Sequence, residues 1–285
     1  MHNSFYKLYL KLNKSAYKNK LLSWCEKNQK KKVFIITFDC ETQRDIDVLE
    51  KLQEKLLDIN FKSYFAVPGE LIERNEKLIK KLSKKKCFFI NHGYRIHTIF
   101  NHIKRKNFSS FSYNNLSKAE ILDDITKGHN SIRKITGQVP RIFRTPHFGD
   151  FSDHNSMRII YDILSDMNYK FSSSTGPVYS FSNAPYYNNN NIIEIPISGC
   201  INKPLQIIDS WAFIGSKDKV DITDLIDPIN EYFDLRTDKV LLNTYFDPSD
   251  IIDYDIFFET IGKFSDWSVN DFNQLDVKER SCDLN

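Results

Sequence analysis

The chain has 285 residues, 41% apolar and 14% aromatic, with 40 basic and 37 acidic side chains and a formal net charge of +3. That is apolar material enough for one large core. The near balance of charge excludes the basic excess of a general nucleic-acid binder and the acidic excess of a solvating tail. No apolar run in the sequence approaches the roughly 20 residues that cross a bilayer.

The first residues, Met1-His2-Asn3-Ser4-Phe5-Tyr6-Lys7, lack the continuous apolar stretch of a secretory signal. Five cysteines (Cys25, Cys40, Cys87, Cys200, Cys282) are odd in number, scattered and without C-x-x-C spacing. They speak against a disulfide framework or a zinc ribbon and for reduced thiols. A cytoplasmic, soluble protein is the expectation.

Residues 1–31 form a predicted helical extension. Phe5, Leu8, Leu12 and Ala16 fall on one helical stripe, with Lys7, Lys11, Lys14, Lys18 and Lys20 around it. Such a helix can lie on the anionic inner face of a membrane or pack on the body of the protein, and packing on the body is the plainer expectation. From residue 32 to residue 285 the sequence reads as one domain of alternating strands and helices. An apolar strand over 33–38 is followed by a helical pattern over 45–57. Then come a strand over 63–67, a helix over 71–82 and a strand over 87–90. Residues 117–136 are strongly helical, with Ser117 and Glu120 in capping-box spacing and Gly137 beyond the end. Further strands are predicted over 141–145, 192–198, 207–210 and 239–246, with helices over 155–167 and after Pro248. Residues 97–115 and 172–191, rich in Asn, Ser and Tyr, read as long loops, as suited to a plain surface as to sugar contact. Repeated β-α units predict parallel strands, and their number favours a barrel over an open sheet.

Chemistry-bearing residues gather at two strand ends. Thr37-Phe38-Asp39-Cys40-Glu41 ends the first strand, and Asn91-His92-Gly93-Tyr94-Arg95-Ile96-His97 follows the third. Carboxyl ends of strands are where α/β folds keep their active sites. Two carboxylates and two histidines there suit a hydrolytic metal site with one carboxylate left over as a base. Alternation along the strand puts Asp39 and Glu41 on one face and sends Cys40 to the other.

In chain order, Asp39-x-Glu41, His92-Gly-Tyr with His97, Arg144-Thr-Pro146-His147-Phe-Gly149, Asp209-Ser-Trp211 and Tyr245-Phe246-Asp247-Pro248 resemble the five motifs of the polysaccharide deacetylases. This is the NodB-homology family, carbohydrate esterase family 4. Phe65-Ala-Val-Pro-Gly69-Glu70 and Ile135-Thr-Gly137 are similar too, so the resemblance runs over residues 33–265. It implies a distorted (β/α)7-type barrel, here with the N-terminal helical extension. It also implies a divalent metal, zinc or cobalt, and removal of acetyl groups from N-acetylated sugars.

Carried over residue by residue, the resemblance makes Asp39 the catalytic base and Arg144 the arginine that orients it. An arginine there should lower the pKa of Asp39 and keep it ionised. Glu41, His92 and His97 would be the metal ligands, with Cys40 as thiolate and His102 as alternatives. The two histidines are five residues apart where the family's are usually four, and a loop containing Gly93 can absorb the extra residue. The backbone N–H after Pro146 would belong to the oxyanion hole, with the His147 imidazole lining the cleft. Tyr94, Pro146 and Trp211 would contact substrate, Trp211 beside the acetyl methyl. Asp209 matches the aspartate that tunes the family's acid histidine, and that histidine is replaced here by Asp247. A free aspartate is a poor acid at neutral pH. So Asp247 is raised by burial, or His147 donates instead, or the protein binds without turnover. The substrate expected is an N-acetylated sugar or oligosaccharide, nucleotide- or lipid-linked, with no nucleic acid partner. Cyclic amide hydrolysis on the same fold and a sugar-binding pseudoenzyme are the rival readings.

Overall fold

The computed structural model describes residues 2–101, 103, 106–217 and 220–275. Its strands are β1 (Val33–Asp39), β2 (Ser63–Val67), β3 (Cys87–Asn91), β4 (Thr98–Asn101), β5 (Lys106–Ser109), β6 (Ile142–Phe143), β7 (Phe171–Ser172), β8 (Tyr187–Asn189), β9 (Ile192–Glu194), β10 (Leu241–Phe246) and β11 (Ser268–Val269). The main sheet runs β10-β1-β2-β3-β6-β7-β9-β8, with β11 also on β1. Every pairing from β10 to β9 is parallel, and β8 joins β9 antiparallel. After β9 the chain stays extended. The Ser198 N–H donates to the Asn243 carbonyl at 2.8 Å, and Asn243 Nδ2 donates to the Ile195 carbonyl at 2.7 Å. These bonds join the last parallel strand to β10, so seven parallel strands curl into the expected distorted barrel.

All seven residues of β1 are buried. Helices cover one side of a parallel strand and barrel side chains the other, so Val33-Phe34-Ile35-Ile36 reads as a continuous apolar run. Helix Lys118–Thr136 follows the expected chemistry at both ends: Ser117 and Glu120 complete the capping box, and Gly137 closes the helix at φ 72°.

Several expectations are corrected. The predicted helix over 45–57 is two helices, Gln43–Asp47 and Leu49–Asp58, and that over 71–82 is Gly69–Arg74 and Glu76–Ser83. The segment over 141–145 pairs only at Ile142–Phe143, and 207–210 contributes isolated bridges before a π-helical turn, Trp211–Gly215. The expected loop over 97–115 holds the antiparallel hairpin β4–β5, and that over 172–191 holds helix Pro177–Ser182 and β8. The four cysteines among the described residues are free and buried; Cys282 lies outside them.

The N-terminal extension is two helices, His2–Leu12 and Lys14–Asn28, parted at Asn13. The second packs Tyr17, Leu21 and Cys25 on the barrel. On the first, Leu10 is buried while Phe5, Leu8 and Leu12 are exposed. Phe5, Leu8 and Leu12 of the sequence stripe therefore form the outer face, while Ala16, on the second helix, packs against the core. Among the described residues no helix is long and apolar enough to cross a membrane.

Candidate metal centre and active site

Glu41 follows β1, and His92 and His97 stand on the loop from β3 to β4. One ligand atom from each of the three lies within 4.8 Å of the others. His92 Nε2 is 3.4 Å and His97 Nε2 3.1 Å from Glu41 Oε1. On the far side of each ring, Nδ1 faces a backbone carbonyl: Arg144 O at 2.9 Å for His92 and Arg95 O at 3.4 Å for His97. With Nδ1–H donating there, both Nε2 lone pairs point at a carboxylate oxygen. Three ligand atoms converge, an arrangement that a divalent cation would make favourable. Burial works against ionisation of Glu41, but His97 and His92 outweigh it and hold its carboxyl well below the usual range. Thr98 Oγ1 donates to Glu41 Oε2 at 2.5 Å and fixes the carboxylate. The donor set thus fits a divalent cation of the zinc type, two imidazoles and a carboxylate.

The five-residue spacing of the histidines is met by the loop. Gly93 sits at φ 74°, and a Cβ there would lie 2.4 Å from Asp124 Oδ2. Asp124, on helix Lys118–Thr136, accepts from the Tyr94 and Arg95 N–H groups and from the Tyr113 hydroxyl. It anchors the loop that brings His97 back to Glu41.

Asp39 ends β1 and is buried against Arg144, whose Nη1 donates to Asp39 Oδ1 at 2.6 Å. Arg144 is fully enclosed: Nε donates to the Ser173 carbonyl, Nη2 to Ser173 Oγ, and its guanidinium lies over the Tyr245 ring. The expected lowering of the Asp39 pKa is corrected. Burial lifts it above its ordinary value despite Arg144 and His92, because desolvation of an enclosed carboxylate exceeds what one cation returns.

A cavity of about 480 Å³ opens beside these groups, lined among others by Glu41, His147, Asp209, Trp211, Tyr245 and Asp247. Asp247 begins helix Pro248–Ile251. Its backbone N–H donates to Ser210 Oγ, and its carboxyl has no ion-pair partner among the described residues. Burial, then Asp250, Glu41, Asp45 and Asp39, raise it well above the ordinary aspartate value. Asp209 is tied elsewhere, accepting from the Tyr245 hydroxyl at 2.8 Å and the Ala212 N–H at 2.7 Å, and burial pushes it up to about 7. Trp211 stands at the rim, half exposed. His147 adopts φ 53°, a left-handed conformation uncommon for a non-glycine residue, and its Nε2 is 2.8 Å from Ser109 Oγ. Burial, and then His97, lower its pKa.

Two predicted substrate contacts are not on the cavity wall. Tyr94 turns its hydroxyl to Glu73, and Pro146 packs behind Gly93. Cys40 is buried with Sγ toward the Phe38 carbonyl, outside the ligand cluster, and burial keeps its thiol protonated far above its ordinary value. His102 lies outside the described residues. Thr98, Ser109, Ser173 and Asp124 are not singled out by the sequence, and Tyr245 stands there only within the Tyr245-Phe246-Asp247-Pro248 motif. Thr98 directly follows His97 and Tyr245 stands two residues before Asp247, so both were within reach; nothing local marks Ser173 or Asp124.

The sequence profile of the polysaccharide deacetylase family matches residues 26–170. No curated protein matches the chain in sequence. Solved structures share the fold. A Mycobacterium smegmatis protein described as a polysaccharide deacetylase is 14% identical at a TM-score of 0.62, over 85% of this chain and 86% of that one. A carbohydrate esterase family 4 pseudoenzyme from Bacillus anthracis is 17% identical at 0.55, over 87% and 66%. Puue allantoinase is 9% identical at 0.55, over 82% and 83%. At such identities the likeness is one of fold. The profile match spans half the chain and takes in Asp39, Glu41, His92, His97 and Arg144, and with it the chain belongs to the polysaccharide deacetylase (NodB-homology) family.

Proposed function

We propose that the protein is a metal-dependent hydrolase acting inside the cell, which removes the N-acetyl group from an N-acetylated sugar in a nucleotide- or lipid-linked precursor of a surface glycan. The observation that carries this reading is the convergence of Glu41, His92 and His97 beside a buried, arginine-held Asp39. A divalent cation held by the three ligands, zinc or cobalt, would polarise the amide carbonyl and acidify water. Asp39, fixed by Arg144, takes the proton from the attacking water. Arg144 fixes the carboxylate from the side away from the cavity. Asp247, buried at the cavity wall without a cation beside it, delivers the proton to the leaving amine. Trp211, Leu205 and Ile207 offer an apolar surface to the acetyl methyl.

The test begins with metal content, since it needs no substrate. Elemental mass spectrometry is expected to find about one equivalent of metal in the wild type, as in other three-ligand catalytic sites. His92→Ala should lose most of it. A wild type that takes up no metal even after dialysis against zinc ends the hydrolase reading.

Asp247 also motivates a second reading, a sugar-binding pseudoenzyme, because the family's acid histidine is absent there. The likeness to the Bacillus anthracis pseudoenzyme is compatible with it. Asp247→Asn is expected to lower kcat for acetate release by about 10²-fold with little change in KM, the scale of one general acid, while Asp247→His keeps activity. Equal rates in wild type and Asp247→Asn would place the proton donor elsewhere. Sugar binding without acetate release from any N-acetylated substrate would favour the pseudoenzyme, and release of product only from a cyclic amide would favour the allantoinase-like alternative.

A further inference from the structure

Helix His2–Leu12 has two unlike faces. On one, Leu10 is fully buried, and Tyr6 and Tyr9 hold the Phe181 ring at centroid distances of 5.7 and 5.8 Å. On the other, Phe5, Leu8 and Leu12 are 64%, 58% and 75% exposed. Spacings of three and four residues set these three on one stripe. Lys7 and Lys11 are exposed on the same helix, and Lys14, also exposed, opens the next helix beyond Asn13. A single exposed leucine needs no explanation. A stripe of three large apolar side chains on a lysine-bearing helix whose opposite face is packed is another matter: that combination suits a helix lying in a membrane interface.

The place of the helix in the fold adds to this. Helix Lys14–Asn28 leads into the amino end of β1. Near its end, Glu26 meets Lys239, just before β10 begins, so the helix finishes at the amino end of the barrel. Its start, and with it helix His2–Leu12, lies toward the opposite end. There the first helix packs on Pro177–Ser182, which follows the carboxyl end of β7. Gly176, one residue before that helix, lies against Phe148 of the cavity wall. The hairpin β4–β5 follows β3 at this same end. It lends Thr98, Asn107, Phe108 and Ser109 to the cavity while exposing Ile99 and Ile103. Exposed apolar side chains of the first helix and of the hairpin thus both lie toward the end of the barrel that carries the cavity mouth.

We propose that helix His2–Leu12 docks the protein on an anionic lipid bilayer, with Phe5, Leu8 and Leu12 entering the interface and Lys7, Lys11 and Lys14 meeting lipid phosphates. Charge complementarity chooses the occupant: the lysines suit an anionic surface and work against a second copy of the same basic helix. The docking does not depend on the deacetylase reading. Its consequence does, since a cavity mouth held at the bilayer selects the lipid-linked sugar over the nucleotide-linked one.

The test is sedimentation of the full chain with vesicles of equal parts phosphatidylcholine and phosphatidylglycerol, beside vesicles of phosphatidylcholine alone. The wild type is expected to bind the anionic vesicles at low salt and to be released as salt rises. Phe5→Ser/Leu8→Ser/Leu12→Ser should lower the vesicle partition by about tenfold or more. Because all three side chains are exposed, its thermal unfolding should match the wild type. Lys7→Gln/Lys11→Gln/Lys14→Gln should remove the salt-sensitive part of binding. A wild type that ignores anionic vesicles overturns the proposal, as does a triple-serine variant that binds as well as the wild type. Self-association in analytical ultracentrifugation, lost in the triple-serine variant and unaccompanied by vesicle binding, would instead make this face an interface between copies. Metal content and acetate release are read separately, so failure of the docking and failure of the hydrolase reading stay distinct.

Discussion

Asp39→Asn is expected to lower kcat for acetate release by about 10²–10⁴-fold, the range of a positioned general base, while metal content stays at the wild-type level. The amide has the size of the carboxyl and its oxygen can still accept from Arg144 Nη1, so the packing beneath the cavity persists. What is lost is the ability to take a proton. Asp39 is not among the three clustered ligands, which is why metal binding and turnover should separate in this variant. KM should move little, since Asp39 lies beneath the cavity rather than among its lining residues. A variant that releases acetate within a few-fold of wild type would show that another group abstracts the proton.

Arg144→Met is expected to be the most destabilising single change, by about 3–5 kcal/mol, the usual cost of leaving half of a buried ion pair behind. For a chain of 285 residues that lowers Tm by roughly 5–8 °C. Arg144 is fully buried, and Asp39 is 2% exposed, so water cannot replace the guanidinium. The Ser173 carbonyl would lose the Nε donor and its hydroxyl the Nη2 donor, with only Asn243 Nδ2, among the described residues, left to reach Ser173 Oγ at 3.1 Å. Thermal and urea unfolding measure the loss. Asp39→Leu/Arg144→Met should recover part of it, because the orphaned carboxylate goes too. A single variant as stable as the wild type would mean that Asp39 simply accepts a proton and that the pair does not hold β1 to the end of β6.

Some of this was plain in the sequence because it rests on short-range rules. The apolar run of β1, the Ser117 and Glu120 capping box and Gly137 are local signals, and each fell where the spacing put it. The alternation of Asp39, Cys40 and Glu41 also needs no partner to be read. The hairpin β4–β5 was missed because its strands, Thr98–Asn101 and Lys106–Ser109, are half exposed and polar. They carry no strong period-two pattern and earn their hydrogen bonds from each other. Which face of helix His2–Leu12 packs was not legible, because an apolar stripe marks what avoids water, not which neighbour covers it.

The sequence by itself determined most of the parallel strands, the long helices between them and the chemical types delivered to the strand ends, since periodicity and motif spacing are properties of the chain. Only the tertiary structure decided how those groups act. That His97 returns to Glu41 depends on the Gly93 turn and on Asp124, which comes from a helix 30 residues after Tyr94. That Asp209 serves Tyr245 and that Tyr94 turns to Glu73 depends on which elements the barrel sets side by side. Even the direction of the Asp39 shift came from enclosure rather than from its arginine partner. Desolvation is set by everything packed around a group, and no stretch of sequence carries that information alone.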